Sequence, residues 1–569
     1  MRNYQDGGEA ILEAFRNLDI DYVISSPGSE WPSFWEAMAR QKHNRTPGPS
    51  YLDCGHETIA VTMAAAYTHI TGRMQAVLLH AGAGLLQGSM AVGAARAMET
   101  PMLVMSGEST GYGESAFDPG SQWYRNLSVV GGGQRLLEPV VKWAQQAPSP
   151  ETLYQSVVRA GEMAQRPPKG PTYLCVSMET MLKEWTRPEQ LRKAPRAPKP
   201  QPAAADIEKV AALLAKAKCP VISVENAGPD RGTFDALVEL AELMAIPVLE
   251  GAGAFFANFP KSHDLYLGSN INRLLKEIDF ALLVESRAPW YPPSNVPPNA
   301  TIVAIGENPL KTHMVYQTME AAHYLEGNVE ATIQLLTQAL RRLGCNASKV
   351  AERRARWQAE HKAWREGLRA AEEKASGEAV ITVPLLAKVL REVMPRDVSY
   401  VDETIVHAGA IREHTMWDGP LGFFRAPSGL GQALGYALGV KLALPQRLVV
   451  VTIGDGTLMY NPLVPALSFA DEHKLPLLIL VFNNSKYASM QYFHKKFYPS
   501  GTAMMTDDYY GVHIKGVKYE EAAAMVGGYG KRVEKPSELK GALQEALACV
   551  QAGKTAILNV IMPDPGNLR

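Results

Sequence analysis

One stretch limits the possible folds of this chain more than any other. It runs from Gly454 to Asn484 and reads GDGTLMYNPLVPALSFADEHKLPLLILVFNN. Just before it, LVVVTI (448–453) is a β-branched apolar run of the kind that forms a buried parallel strand. Gly454, Asp455 and Gly456 then turn the chain sharply, and Leu463, Leu467 and Ala470 keep helical spacing. A second apolar run, LPLLILVF, ends at Asn483 and Asn484. An acid and a carboxamide therefore fall at the C-terminal ends of two parallel strands, the edge at which open α/β sheets bind ligands.

Asp455 offers a carboxylate, Asn484 a side-chain carbonyl, and the loop after it a backbone carbonyl. Oxygen-only donors suit Mg²⁺, which keeps water and substrate phosphates in its remaining positions. The glycines let a diphosphate approach the backbone. Either half alone reads equally well as a plain turn or a loop end. Together, with 26 residues between GDG and NN, they point to a metal–diphosphate site.

A chain of 569 residues has room for three or four domains. Apolar strands and helices alternate through DYVISSPGS, YLDCGHETIAVTMAAAYTHITG, MQAVLLHAGAGLLQGSMAVGAARAM, PMLVMSGE and PTYLCVSM, which predicts a doubly wound parallel sheet over 1–187. Residues 188–204 are rich in Pro, Lys and Arg and read as an extended linker. A second α/β unit follows over 205–345, without a GxGxxG after its first strand. Residues 346–378 form a charged helical connector, and a third unit occupies 379–569. Its last part (YEEAAAMVGGYG, SELKGALQEALACV, TAILNVIM) is expected to run helix, helix, strand. The expected fold class is α/β with three doubly wound parallel-sheet domains, the first and third of one type.

The net charge of −1 gives no reason to expect nucleic acid or an anionic membrane as partner. The N-terminal residues carry no signal-peptide core, no stretch reaches the length of a membrane span, and the five scattered cysteines form no disulfide framework; a cytoplasmic enzyme is expected.

His56-Glu57 opens a segment with Ala60, Met63, Ala64 and Tyr67 on helical spacing, closed by Thr71-Gly72. By itself Glu57 reads as an acid favoured by the helix dipole. With the GDG…NN pair, however, the segment resembles the glutamate motif of thiamine diphosphate (ThDP) enzymes. In that family the glutamate hydrogen-bonds the aminopyrimidine of the cofactor and promotes its activation, while the electron sink belongs to the cofactor. RAPSGLGQALGYALGV (425–440) resembles the segment that puts a bulky apolar residue beneath the bent cofactor, here Leu430 next to Gly429. VDETIVHAG (401–409) falls where the family has a strand end and a diphosphate-binding loop, and the resemblance makes Thr404 and His407 candidates beside Gly454, Gly456 and Thr457. Carried over residue by residue, Mg²⁺ would take Asp455, Asn484 and the backbone carbonyl of Lys486. The resemblance implies pyrimidine-binding, middle and diphosphate-binding domains. It also implies sites shared between two chains, hence a homodimer as the smallest active unit and usually a homotetramer.

Within the family the chain resembles the benzoylformate decarboxylase branch, with acetolactate-synthase-like proteins nearby. Ser26-Pro27-Gly28-Ser29 is similar to a turn that binds the substrate carboxylate, which selects Ser29. LLHAGAG (78–84) is similar to a strand end carrying an active-site histidine, which selects His80. An imidazole exchanges protons near neutral pH. The branch also has a middle-domain histidine, and ESRAPWYPPSN (285–295) has none; Pro289, Trp290 and Tyr291 stand there. Trp290, Tyr291, Ser489, Tyr492 and Phe493 are candidate pocket residues, and the segment 498–515 is long enough either to cover a site or to be a variable surface loop. The expected function is nonoxidative decarboxylation of a 2-oxo acid with ThDP and Mg²⁺, with acetolactate-synthase-like carboligation or C–C lysis as the alternative. A catalytically silent scaffold is the alternative of another class. FAD is not expected, because its middle-domain pattern is missing.

Overall fold

The computed structural model describes residues 5–108, 131–251, 253–314 and 320–564. Among them stand three wholly parallel sheets. The first contains β1 (Tyr22–Ser26), β2 (Ser50–Asp53), β3 (Gln75–Leu79), β4 (Met102–Glu108), β5 (Trp143–Gln146) and β6 (Pro171–Ser177), in the order β2-β1-β3-β4-β6-β5. The second contains β7 (Pro220–Val224), β8 (Val248–Glu250), β9 (Phe280–Val284), β10 (Thr301–Gly306) and β11 (His323–Glu326), ordered β11-β10-β9-β7-β8. The third contains β12 (Ser399–Glu403), β13 (Phe423–Arg425), β14 (Val449–Gly454), β15 (Leu478–Asn483), β16 (Tyr529–Val533) and β17 (Ala556–Ile561), ordered β13-β12-β14-β15-β17-β16. The first and third orders are the same pattern. Each changes direction between its first and third strands, which opens a crevice at the C-terminal edge.

The central strands are continuous apolar runs, buried at nearly every position, as sheets covered on both faces require. One sequence-based expectation is corrected. Tyr519–Val526 is a 3₁₀ segment, and the strand β16 follows it where no strand was expected. β16 is an edge strand whose outward residues are Gly530 and Arg532, so it lacks an apolar run. The charged connector is the helix Ala347–Ser376.

The chain forms two compact units. The first takes Met1–Pro198 together with Pro427–Pro445 and Pro462–His473; the second takes the rest. Within the first unit the helix Ala433–Ala443 packs on Glu57–Thr71. A Cβ on Gly435 would lie 2.1 Å from the Thr62 hydroxyl, and one on Gly439 2.4 Å from the Met63 carbonyl oxygen. The two helices approach at backbone distance through a small-xxx-small stripe. Tyr436, on the same helix, bonds His69 Nδ1 at 2.8 Å, and His69 Nε2 lies 2.7 Å from the Thr100 hydroxyl. Gly439→Val is expected to destabilise the protein by about 3 kcal/mol, the upper end of overpacking costs, read as a fall in thermal midpoint. An unchanged midpoint would show that the stripe is not tightly packed.

In the second unit a buried polar clamp holds the helix Ala408–His414 at its C-terminal end. Lys261, fully buried, donates to the carbonyl of Arg412 and, at 3.2 and 2.8 Å, to those of Glu413 and Thr415. These are carbonyls the helix end leaves without a helical partner. Arg412 pairs with Glu250 at 3.0 Å. The clamp fixes a helix whose other end carries His407.

Candidate active site

At the C-terminal edge of the third sheet the reversal between β12 and β14 gathers the oxygen-rich residues. Asp402, on β12, is fully buried. Its Oδ1 accepts from the Thr404 amide at 3.2 Å, the Thr404 hydroxyl at 2.8 Å and the Thr452 hydroxyl at 2.9 Å, which fixes Thr404 at the strand end. Glu403 accepts from Asn461 at 2.9 Å. His407 is buried with its ring 5.6 Å from that of Phe482, and burial pulls its pKa down to about 4, so the imidazole is neutral at pH 7.

Asp455 opens a short helix, Asp455–Leu458, directly after β14. Only 3% of the residue is exposed. Its Oδ1 accepts from the Gly456 amide at 2.8 Å, and the amides of Ser485 and Lys486 also act on the carboxylate. The two halves of the GDG…NN pair thus meet in space. Burial nevertheless raises the Asp455 pKa to about 6. Among the described residues, Asp402 Oδ2, His407 Nε2 and Asp455 Oδ2 are buried polar atoms without a hydrogen-bond partner. Buried polar atoms are rarely left so, and Asp455 Oδ2, just after the end of β14, is open to a ligand. Asp455 Oδ2, the Asn484 side-chain carbonyl, which also accepts from the Lys486 amide at 3.1 Å, and the Lys486 backbone carbonyl are oxygen donors of the kind that would suit a divalent cation with its own diphosphate and water ligands.

The loop carrying two of those donors is held from outside. Ser485 sits at φ 57°, and its carbonyl accepts from the Ile514 amide at 2.9 Å, while the Tyr487 amide donates to the Val512 carbonyl at 2.8 Å. The end of the 498–515 segment is therefore tied to the loop of Asn484 and Lys486. Tyr487 also fills the space over Gly456, where a Cβ would lie 2.6 Å from its ring. Neither Tyr487 nor Ile514 was found from the sequence, because a single bridge leaves no periodic signal.

In the first unit, Glu57 opens the helix Glu57–Thr71, with His56 as N-cap accepting from the Thr58 amide at 3.2 Å. His80 follows β3. Both flank the first turn of the helix Ala83–Ala97: a Cβ on Gly84 would lie 2.9 Å from Glu57 Oε1 and 2.8 Å from the His80 Cβ. His80 Nδ1 lies 2.9 Å from each carboxylate oxygen of Glu30, a buried residue that sequence reasoning missed although it adjoins Ser29. Ser29 itself is exposed. Gly429, Leu430 and Gly431 have φ of 121°, 58° and 80°. A leucine in the left-handed region is strained, and such strain collects at functional sites.

Trp290 is buried in the core around the second sheet and its indole N–H donates to the Pro293 carbonyl at 3.3 Å, whereas Tyr291 is 80% exposed. Ser489 is half-buried on the helix Ala488–Phe497, and Phe493 is exposed there between Tyr492 and Phe497. No helix of the described residues is long and apolar enough to cross a membrane.

Two parallel sheets of one strand order, with an aspartate and an asparagine at the C-terminal edge of one and a glutamate with a histidine beside the other, fit a class: enzymes that bind a diphosphate cofactor. Three family models specify it. The N-terminal TPP binding domain of thiamine pyrophosphate enzymes matches residues 5–125, the central domain 207–336 and the C-terminal TPP binding domain 410–560. This chain belongs to the thiamine pyrophosphate enzymes. It is 26% identical to benzoylformate decarboxylase of Pseudomonas aeruginosa, over 95% of this chain and 96% of that protein. It is 22% identical to the acetolactate synthase large subunit of Haemophilus influenzae, over 95% and 92%. In fold it is similar to the crystal structure of benzoylformate decarboxylase from Polynucleobacter necessarius, with a TM-score of 0.79 and 19% identity over 99% of both chains.

Proposed function

We propose that this chain is a ThDP- and Mg²⁺-dependent enzyme that decarboxylates a 2-oxo acid without oxidation. The observation that carries the reading is the placement of Glu57 and His80 on either side of one helical turn. Whole-length similarity to a benzoylformate decarboxylase supports it. Bound ThDP supplies the nucleophilic carbon and the electron sink for CO₂ loss. Glu57 would hold the aminopyrimidine and its proton, and Leu430 would support the cofactor from below. Asp455, Asn484 and Lys486 would hold Mg²⁺. Thr404, His407 and the Gly454–Thr457 turn would receive the diphosphate. Ser29 would bind the substrate carboxylate, and His80 would give a proton through Nε2.

Carboligation is the second reading, favoured by the similarity to acetolactate synthases and by the missing middle-domain histidine. FAD is not part of the proposal. At the edge of the second sheet Glu225, Glu285 and Glu307 follow β7, β9 and β10. Glu225 already accepts from the Arg287 amide, the Ala288 amide and the Ser286 hydroxyl at 2.9, 3.0 and 3.1 Å, donors that an anionic diphosphate would need. Functional domains over 1–187, 205–345 and 379–569 and a cytoplasmic homodimer or homotetramer complete the reading.

The test is CO₂ release from a panel of 2-oxo acids with ThDP and Mg²⁺, with aldehydes followed in parallel. CO₂ with a stoichiometric aldehyde is expected. CO₂ accompanied by a hydroxyketone would establish carboligation, and no CO₂ from a protein that binds ThDP would reject both. Sedimentation of the same preparation reads the assembly, and an active monomer would exclude a site shared between chains.

A further inference from the structure

The reversal of the first sheet lies between β1 and β3, and each strand delivers one ionisable residue there: Glu30 after β1 and His80 after β3. Glu30 is 1% exposed. A carboxylate so buried must find donors. Its Oε1 accepts from the Ala81 amide at 2.6 Å, and both oxygens lie 2.9 Å from His80 Nδ1. The acceptor is fixed by chemistry, since an amide N–H can only donate and a carboxylate can only accept. Nδ1 therefore carries a hydrogen.

Two glycines leave room for this pair. A Cβ on Gly28 would lie 1.7 Å from His80 Nδ1, and one on Gly107 2.1 Å from the Glu30 Cγ. The imidazole is only partly buried, with 24% of the His80 side chain exposed, whereas the Glu30 side chain is fully buried. Among the described residues the charged groups acting on His80 are two acids, Glu30 from the loop after β1 and Glu57 from the helix Glu57–Thr71.

We infer that Glu30 is the positioning residue of His80: it holds the ring in one orientation, keeps a hydrogen on Nδ1 and leaves Nε2 as the atom that gives a proton. This deepens the proposed function, on which the use of Nε2 rests. The hydrogen bond that His80 donates to Glu30 is the largest influence raising the His80 pKa, burial opposes it, and the charges of Glu30 and Glu57 add to the rise. His80 is thereby poised as an acid. One supported imidazolium can serve the site although residues 285–295 hold no second histidine.

The experiment uses full-length protein with ¹³C- and ¹⁵N-labelled histidine rings, with the His80 signal identified by its loss in His80→Gln. In the cofactor-free protein His80 should titrate above the ordinary value of about 6.5 and carry its hydrogen on Nδ1 when neutral. Glu30→Gln should lower that midpoint by about 1 unit, the small end of what an opposite charge contributes. In the loaded enzyme the alkaline limb of kcat should move down by the same amount, with little change in KM. A wild-type midpoint at or below about 6.5, or a neutral form with its hydrogen on Nε2, would overturn the inference without any variant. A midpoint unmoved in Glu30→Gln would overturn it as well. A shifted midpoint with an unmoved pH profile would uphold the Glu30–His80 pair and reject the use of His80 in turnover, which separates the two failures.

Discussion

Glu57→Gln is expected to lower kcat by about a thousandfold, the middle of the range for losing one well-placed acid–base group, while the protein stays folded. Glutamine keeps the shape of the side chain, so the tight approach of Gly84, where a Cβ would lie 2.9 Å from Glu57 Oε1, is preserved. The cost to the helix is small. Glu57 stands in the first turn of Glu57–Thr71, and a carboxylate there contributes about 0.3–1 kcal/mol through the helix dipole. His56 still caps the helix through its own side chain. What is lost is the negative charge that would hold a proton on the cofactor's aminopyrimidine. Circular dichroism and thermal midpoint should change little, and turnover should collapse. Undiminished turnover would remove Glu57 from the mechanism.

The second large effect belongs to Asp455. Asp455→Asn is expected to weaken Mg²⁺-dependent ThDP binding at least a hundredfold, because the only carboxylate of the donor set disappears and an amide oxygen carries no charge to replace it. The same change should stabilise the cation-free protein at neutral pH. Burial raises the Asp455 pKa from 3.8 to about 6. For a group whose folded value lies above its unfolded one, the stabilisation is complete below the unfolded pKa and is lost as pH rises through the folded one. Between pH 3.8 and about 6 the cation-free protein therefore loses on the order of 3 kcal/mol from this group, and a bound cation restores it. Two observables follow. Mg²⁺ with ThDP should raise the thermal midpoint more at pH 7.5 than at pH 5 in the wild type, and should hardly move it in Asp455→Asn. Equal stabilisation of both proteins by Mg²⁺ would exclude Asp455 as a ligand.

The stretches that pointed to the candidate site in the sequence share a physical property. Asp455, Asn484 and His80 each follow a central strand that is mostly apolar and buried, because both faces of that strand are covered. A polar residue at the end of such a run stands out. The strands that escaped notice, β5, β11, β13 and β16, are all at sheet edges. Edge strands are covered on fewer sides and hold residues such as Gln145, Gln146, His323 and Lys531, so their pattern resembles a loop. Trp290 shows the opposite error source. An aromatic residue beside Tyr291 suggested a pocket, but its ring fills the core of the second sheet. Composition does not distinguish those two uses of tryptophan.

The sequence alone determined the three-sheet α/β class, the family, and the residues whose chemistry is local: an acid after a strand, an asparagine after a strand, a glutamate at a helix start. These signals span few residues, and strand and helix periodicities carry them directly. Only the tertiary structure decided which of these groups meet. It placed Glu30 against His80 from a neighbouring strand 50 residues away. It set the amides of Ser485 and Lys486 at Asp455, and it tied the loop of Asn484 to Val512 and Ile514. It also joined the helix Ala433–Ala443 to the unit of Glu57 rather than to that of its neighbours in the chain. Strand order, register and helix packing make those pairings. They arise from burial summed over distant segments, and no short window of sequence contains that sum.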